Sequence, residues 1–146
     1  MKKATCPGDL TSSVVDGQFT LDGCDLADPN KELLVWEDFN LDQLKLTSLV
    51  GFPSYVARNL YVSNNKLTNL HNIHHHIRHI GNKIDFGGNP ITSHVLGLLK
   101  IESLVSVNMD NVTVRNIINK HLNGDKDVLD CAEELVEAGY EAYAQL

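Results

Sequence analysis

The segment from Asn59 to Leu70, NLYVSNNKLTNL, decides how this chain is read. Leu60 and Val62 alternate with polar neighbours as a half-buried strand does, and Asn65, Leu67, Thr68 and Leu70 then follow at intervals that suit neither a helix nor a plain loop. The same slots recur. Phe39, Leu41, Leu44, Leu46, Thr47 and Leu49 precede them by 21 residues, and Phe19, Leu21, Cys24 and Leu26 by a further 20. Downstream, Ile84, Phe86, Asn89, Ile91 and Thr92 follow at 24, and Val105, Val107, Asp110, Val112 and Thr113 at another 21. Self-similarity at a period of 20 to 50 residues marks an array of like units.

One unit carries too few apolar residues to cover its own inner face, so neighbours must stack to make a continuous core. The alternating pairs predict short parallel strands, one per unit, with Phe19, Phe39, Leu60, Ile84 and Val105 in equivalent inward places. After each strand the chain turns inward and would bury backbone donors and acceptors, which is costly unless they are paired. Asn65 and Asn89 can bridge successive units at that slot, Asp110 can do part of the work, Cys24 weakly, and Leu44 not at all.

The pattern apolar-x-apolar-x-x-(Asn/Cys/Asp)-x-apolar-Thr resembles the leucine-rich repeat. The variant with Asn-Lys-Leu-Thr wording and a Gly-x-Pro turn, here Gly51-Phe52-Pro53, is similar to short repeats of bacteriophage-encoded and bacterial proteins. The resemblance spans roughly Gln18 to Val114. It implies an α/β fold, a leucine-rich-repeat-like solenoid of about five repeats with short parallel strands and a two-helix C-terminal cap. On activity it is nearly silent; it implies protein binding through the concave strand face, as in a phage-encoded inhibitor of a host or defence protein acting in the host cytoplasm.

The whole chain is expected to be one domain: residues 1–16 as an N-terminal cap or frayed end, 17–113 as repeats, 114–146 as the helical cap. Helical spacing of Val114, Ile117, Ile118 and Leu122 ends at Asn123-Gly124, and a second amphipathic helix is expected from about Asp127 to Leu146, with Asp125 as N-cap and Val128, Ala132, Leu135, Val136, Tyr140 and Tyr143 on its inner stripe. Between strands, Phe52 with Val56 and Ile73 with Ile77 predict helical or irregular return segments.

The charge of −7 and the lack of a Lys/Arg cluster argue against a nucleic-acid backbone as partner and for a protein with a basic or neutral surface. Three separated cysteines suit reduced thiols in the cytoplasm, and no apolar run approaches a membrane span. No phosphate-binding loop, dinucleotide fingerprint or metalloprotease motif occurs, so the chain reads as non-enzymatic and needing no cofactor.

Three surfaces are candidates. The strand's outward positions come first. One column holds Thr20, Asn40, Tyr61, Asp85 and Ser106, a second holds Asp22, Asp42, Ser63, Gly87 and Asn108, and Asp38, Asn59 and Lys83 flank them. Tyr61 is the natural anchor, since tyrosine is enriched at the energetic centres of interfaces, although solubility alone would also make this face polar. The histidine tract comes second: on a helical turn His71, His75 and His79 would share a face and could hold zinc or nickel or respond to pH, against the plainer reading of a solvated surface. Third, Asp130, Glu133, Glu134, Glu137 and Glu141 could mimic nucleic acid towards a basic groove, though such a run is usually the wet side of a helix. An uncovered edge strand at Phe19 would be a template for a homodimer.

Overall fold

The computed structural model describes residues 34–146 throughout and, before them, the backbone of four strand segments, Lys2–Ala4, Ser12–Val15, Gln18–Leu21 and 31–33. Strands β1 (Lys2–Ala4), β4 (Lys31–Val35), β6 (Tyr55–Val56) and β8 (His79–Ile80) form one parallel sheet in that order. Strands β5 (Phe39–Asn40), β7 (Leu60–Tyr61), β9 (Lys83–Asp85) and β10 (Ser106–Asn108) form a second. The chain therefore alternates between two parallel sheets, leaving β4 for β5, β6 for β7 and β8 for β9, and closes each crossing through an irregular return segment. The fold is α/β, with helices α1 (Ile73–His76), α2 (Val112–Leu122) and α3 (Val128–Glu137).

Period-two alternation explains the second sheet. Leu60, Val62, Ile84 and Phe86 are fully buried, and Phe39 and Leu41 stack behind them. Phe39 pairs with Leu60 and Leu60 with Ile84, at the intervals read from the sequence. The next interval differs: Val107, not Val105, lies beside Ile84. Val107 and Met109 are 3% exposed, whereas Val105 is 44% exposed. A shift of two residues leaves an alternating pattern intact, and Val105, Val107 and Met109 fit either register. The correct one places Val112 at the slot of Asn89, and there α2 begins, its N-terminus capped by Asn111 Oδ1 accepting from Val114 N–H.

The expected first copy is also corrected. Phe19 lies in β3 (Gln18–Leu21), which pairs antiparallel with β2 (Ser12–Val15) in a separate two-stranded sheet, so among the described residues the second sheet ends at β5. Phe19 is therefore not an edge of the second sheet. Cys24 and Asp22 lie outside the described residues.

Buried asparagines stitch the crossings together. Asn65 and Asn89, each 4% exposed, are the buried polar side chains among the described residues. Asn65 Oδ1 accepts from Leu44 N–H and Leu46 N–H at 3.0 Å each, while its Nδ2 donates to Leu41 O at 2.8 Å and Val62 O at 3.0 Å. Asn89 Oδ1 accepts from Leu67 N–H at 3.2 Å, and its Nδ2 donates to Val62 O and Phe86 O. Leu44 needs no polar side chain because Asn65 of the next crossing serves its backbone. Asp110 is exposed and accepts from Gly88 N–H at 3.0 Å, a surface contact rather than an inner rung.

The C-terminal part departs from expectation in three ways. Asp127, not Asp125, caps α3, accepting from Asp130 N–H. The helix stops at Glu137, and Gly139 takes φ of +90°, a left-handed conformation suited to glycine. Val136 is exposed, and Cys131 takes the inner place beside Leu135. Beyond the helix the tail straps across the return segments: His94, Val95 and Leu96 N–H donate to Ala142 O, Tyr143 O and Gln145 O at 3.1 Å each, and the Tyr143 hydroxyl donates to Ile91 O.

Candidate functional site

The outward residues of β5, β7, β9 and β10 stand side by side, with columns rearranged by the register of β10. Asn40, Tyr61, Asp85 and Asn108 form the central row. Ser106 falls beside Lys83, in the flanking row with Asp38 and Asn59. Asp42, Ser63 and Gly87 continue beside the inner turn and end at Asp110 rather than Asn108.

Hydrogen bonds across these rows hold the face in one arrangement. Asp38 Oδ1 accepts from Asn59 N–H and Nδ2 at 3.0 Å, and Asn59 Oδ1 accepts from Asn82 Nδ2 at 2.8 Å. Asp42 Oδ1 accepts from Ser63 N–H at 2.7 Å. Asp85 Oδ1 accepts from Gly87 N–H and Asn108 Nδ2, and Asn108 Oδ1 accepts from the Arg115 guanidinium at 3.2 Å. Lys83 Nζ sits 5.7 Å from the Tyr61 ring centroid, within reach of a cation–π contact. The side chains are preordered, so a partner would lose little rotamer entropy on engaging them.

The first sheet carries a surface that sequence reading missed. Trp36 is 62% exposed and tilts against Tyr55, with centroids 5.3 Å apart; Tyr55 stacks face to face on His79 at 4.4 Å, and His79 Nδ1 lies 4.0 Å from Glu102 Oε1. The signal was present: Leu34, Tyr55, His79 and Glu102 each stand five positions before the inward residue of the next strand.

The histidine tract is dispersed. Helix α1 is a single turn ending at His76, so His79 falls in β8 and His71 precedes the helix. Among the described residues no three metal-ligating side chains come together, and the set His71, His75 and His79 is not assembled. His71 Nε2 accepts from Asn72 Nδ2, and its Nδ1 donates to Leu146 O at 2.7 Å. His74 packs against Gly97, and its Nδ1 is buried without a hydrogen-bond partner.

Burial, then the nearby His75, Lys100 and His71, hold the His74 pKa below the usual imidazole value, and burial followed by His75 does the same for His76. The unfolded chain therefore binds protons more readily than the folded one just below the unfolded value of 6.5. Stability from these two groups is complete above that value and falls as pH drops through it towards the folded values. Glu134 adds a second, more acidic step. Its Oε1 accepts from Lys120 Nζ at 2.9 Å and lies 3.0 Å from His121 Nε2, and these bonds lower its pKa from 4.5, so its contribution is present above 4.5 and lost as pH falls through the folded value. The expected outcome is a melting temperature that declines in two stages on acidification, the first of them reduced in His74→Leu. A flat profile from neutrality to the carboxylate range would overturn it.

The acidic row on α3 is shorter than expected. Glu141 lies beyond the helix in a 3₁₀ turn, and Glu134 is tied to α2, which leaves Asp130, Glu133 and Glu137 exposed. Burial, followed by Glu134, pushes the Cys131 thiol up to about 12, so it stays protonated at neutral pH. None of the helices among the described residues is long and apolar enough to cross a membrane. Comparison with known proteins gives no match to this chain, whether among family models, curated proteins or solved structures.

Proposed function

We propose that the chain is a non-enzymatic protein-binding module, a short solenoid of leucine-rich-repeat type whose strand face engages a partner with a basic or neutral surface. The observation that carries this reading is the Asn40, Tyr61, Asp85 and Asn108 row, aligned by parallel pairing, with Asp85 and Asn108 joined by a side-chain hydrogen bond. Inner turns bridged by buried asparagines, helices closing one end of the stack and four parallel strands in the second sheet support the solenoid reading. Preordered polar positions around one tyrosine are what a specific, non-catalytic contact requires. The phage-like wording of the units extends the proposal to a host-directed inhibitor.

Exposed Trp36 beside Tyr55 favours a second reading, in which the same function runs through the first sheet, because tryptophan and tyrosine are the commonest interface anchors. Co-purification from the native host, followed by mass spectrometry, separates the two. Tyr61→Arg is expected to reduce recovery of the specific partner by about tenfold or more, equivalent to at least about 1.4 kcal/mol, with Trp36→Ser unaffected. Loss only in Trp36→Ser moves the contact to the aromatic row, and full recovery in both removes the binding-module reading.

A further inference from the structure

The return segments are paired unevenly. Between the second and third crossings Thr92 N–H donates to Thr68 O at 2.9 Å, and Asn69 bridges Ser93 in parallel. At the equivalent place one crossing earlier, no backbone bond joins Thr68 to Thr47. A cleft of about 190 Å³ opens there instead, with Leu49 and Leu67 among its walls and Thr47, Ser48, Asn69, His71 and His76 as its polar lining. The segment after Thr47 runs into Gly51, which has φ of +88°, and then Phe52-Pro53, both buried.

The lining is rich in unused donors. Ser48 Oγ accepts from Val50 N–H, which leaves its hydroxyl proton available. Asn69 accepts from His71 N–H through Oδ1, and one Nδ2 proton goes to Thr68 Oγ1, leaving the other. The Thr47 hydroxyl and the His76 ring make no hydrogen bond to any described residue. His71, the remaining polar residue at the cleft, has both ring nitrogens engaged. No lining residue is acidic, in a chain whose net charge is −7.

We infer that this cleft is a binding site for a small oxyanion, a carboxylate or phosphate group held by the Thr47 and Ser48 hydroxyls, the Asn69 amide and His76. Charge-assisted hydrogen bonds to an ionised oxygen are roughly twice as strong as neutral ones. The cleft is far too small for a folded partner, so the site is independent of the strand face.

The test follows the imidazole C–H signals of the full chain by NMR at about pH 6, where histidines report on nearby anions, during separate titrations with inorganic phosphate and with acetate. Sodium chloride at matched ionic strength is the control. The expected result is saturable movement of the His76 signal with phosphate, acetate or both, while His79 and His121 follow the chloride control. Saturation with one anion alone assigns the site to that chemistry. In Thr47→Val with Ser48→Ala the apparent affinity is expected to fall about tenfold, with an unchanged melting temperature showing that the fold is retained. Equal movement of all histidines, movement matched by chloride, or unaltered affinity in the double variant overturns the assignment.

Discussion

Asn65→Ala is expected to lower the unfolding free energy by about 3 to 5 kcal/mol, because it strands several buried backbone groups at once, each costing about 1 to 3 kcal/mol when left unpaired. Leu44 and Leu46 N–H lose their acceptor, and Leu41 O loses the donor that reaches it across the crossing. Part of the loss is recovered where water reaches the half-buried backbone of Leu44. Asn89→Ala is expected to cost less, since Asn89 Oδ1 serves one amide, at 3.2 Å, where Asn65 Oδ1 serves two. Chemical denaturation of both variants checks the size and the order. An Asn65→Ala protein within 1 kcal/mol of the parent, about the worth of one ordinary hydrogen bond, would show that the inner turns are not held by this amide.

Gly81→Ala is expected to destabilise by a similar amount for a different reason. A Cβ on Gly81 would stand 1.8 Å from Ala57 O and 2.7 Å from Ala57 C. Both are backbone atoms, so no side-chain rotation relieves the overlap. The strand end carrying Gly81 must move away from its neighbour, and the bond from Gly81 N–H to Val56 O is lost with it. Overpacking that forces backbone shifts typically costs about 1 to 3 kcal/mol, and an overlap with two backbone atoms belongs at the upper end, about 3 kcal/mol, which for a chain of this size is a fall of roughly 10 °C in melting temperature. Gly139→Ala is the control: its Cβ meets nothing within 4 Å, and only the positive φ resists, at about 1 to 2 kcal/mol. If the two alanine variants melt together, close backbone approach is not what position 81 demands.

Sequence periodicity made the second sheet legible because its strands run into long alternating stretches with one face fully buried. The first sheet was harder to see. Its described inward residues, Val56 and Ile80, occupy two-residue strands, too short for alternation to register; Val56 was read as part of a helical or irregular return, and Ile80 was given no place. The last strand was misplaced by two residues because alternation is blind to an even shift, and Asp110 imitated the inner asparagine. At the N-terminus, Asp16-Gly17 between two β-prone runs is a hairpin signal that outweighs the resemblance of Phe19 and Leu21 to later slots. For the candidate sites, the Tyr61 row was recoverable from spacing. The Tyr55, His79 and Glu102 row was recoverable too, from its fixed five-position offset, whereas the contact of Trp36 with that row and the cleft depend on how neighbouring crossings lie against each other.

The strap formed by residues 142–145 bears on the order in which the chain matures. The amides of His94, Val95 and Leu96 find their acceptors in a segment synthesised well after them. Upstream crossings can pair as they leave the ribosome, since each meets a neighbour already made. The final return segment cannot, and its amides stay hydrated until the tail is released. Nascent chains stalled before Tyr140 would therefore carry a structured middle and an unfinished end, a natural foothold for chaperones during synthesis.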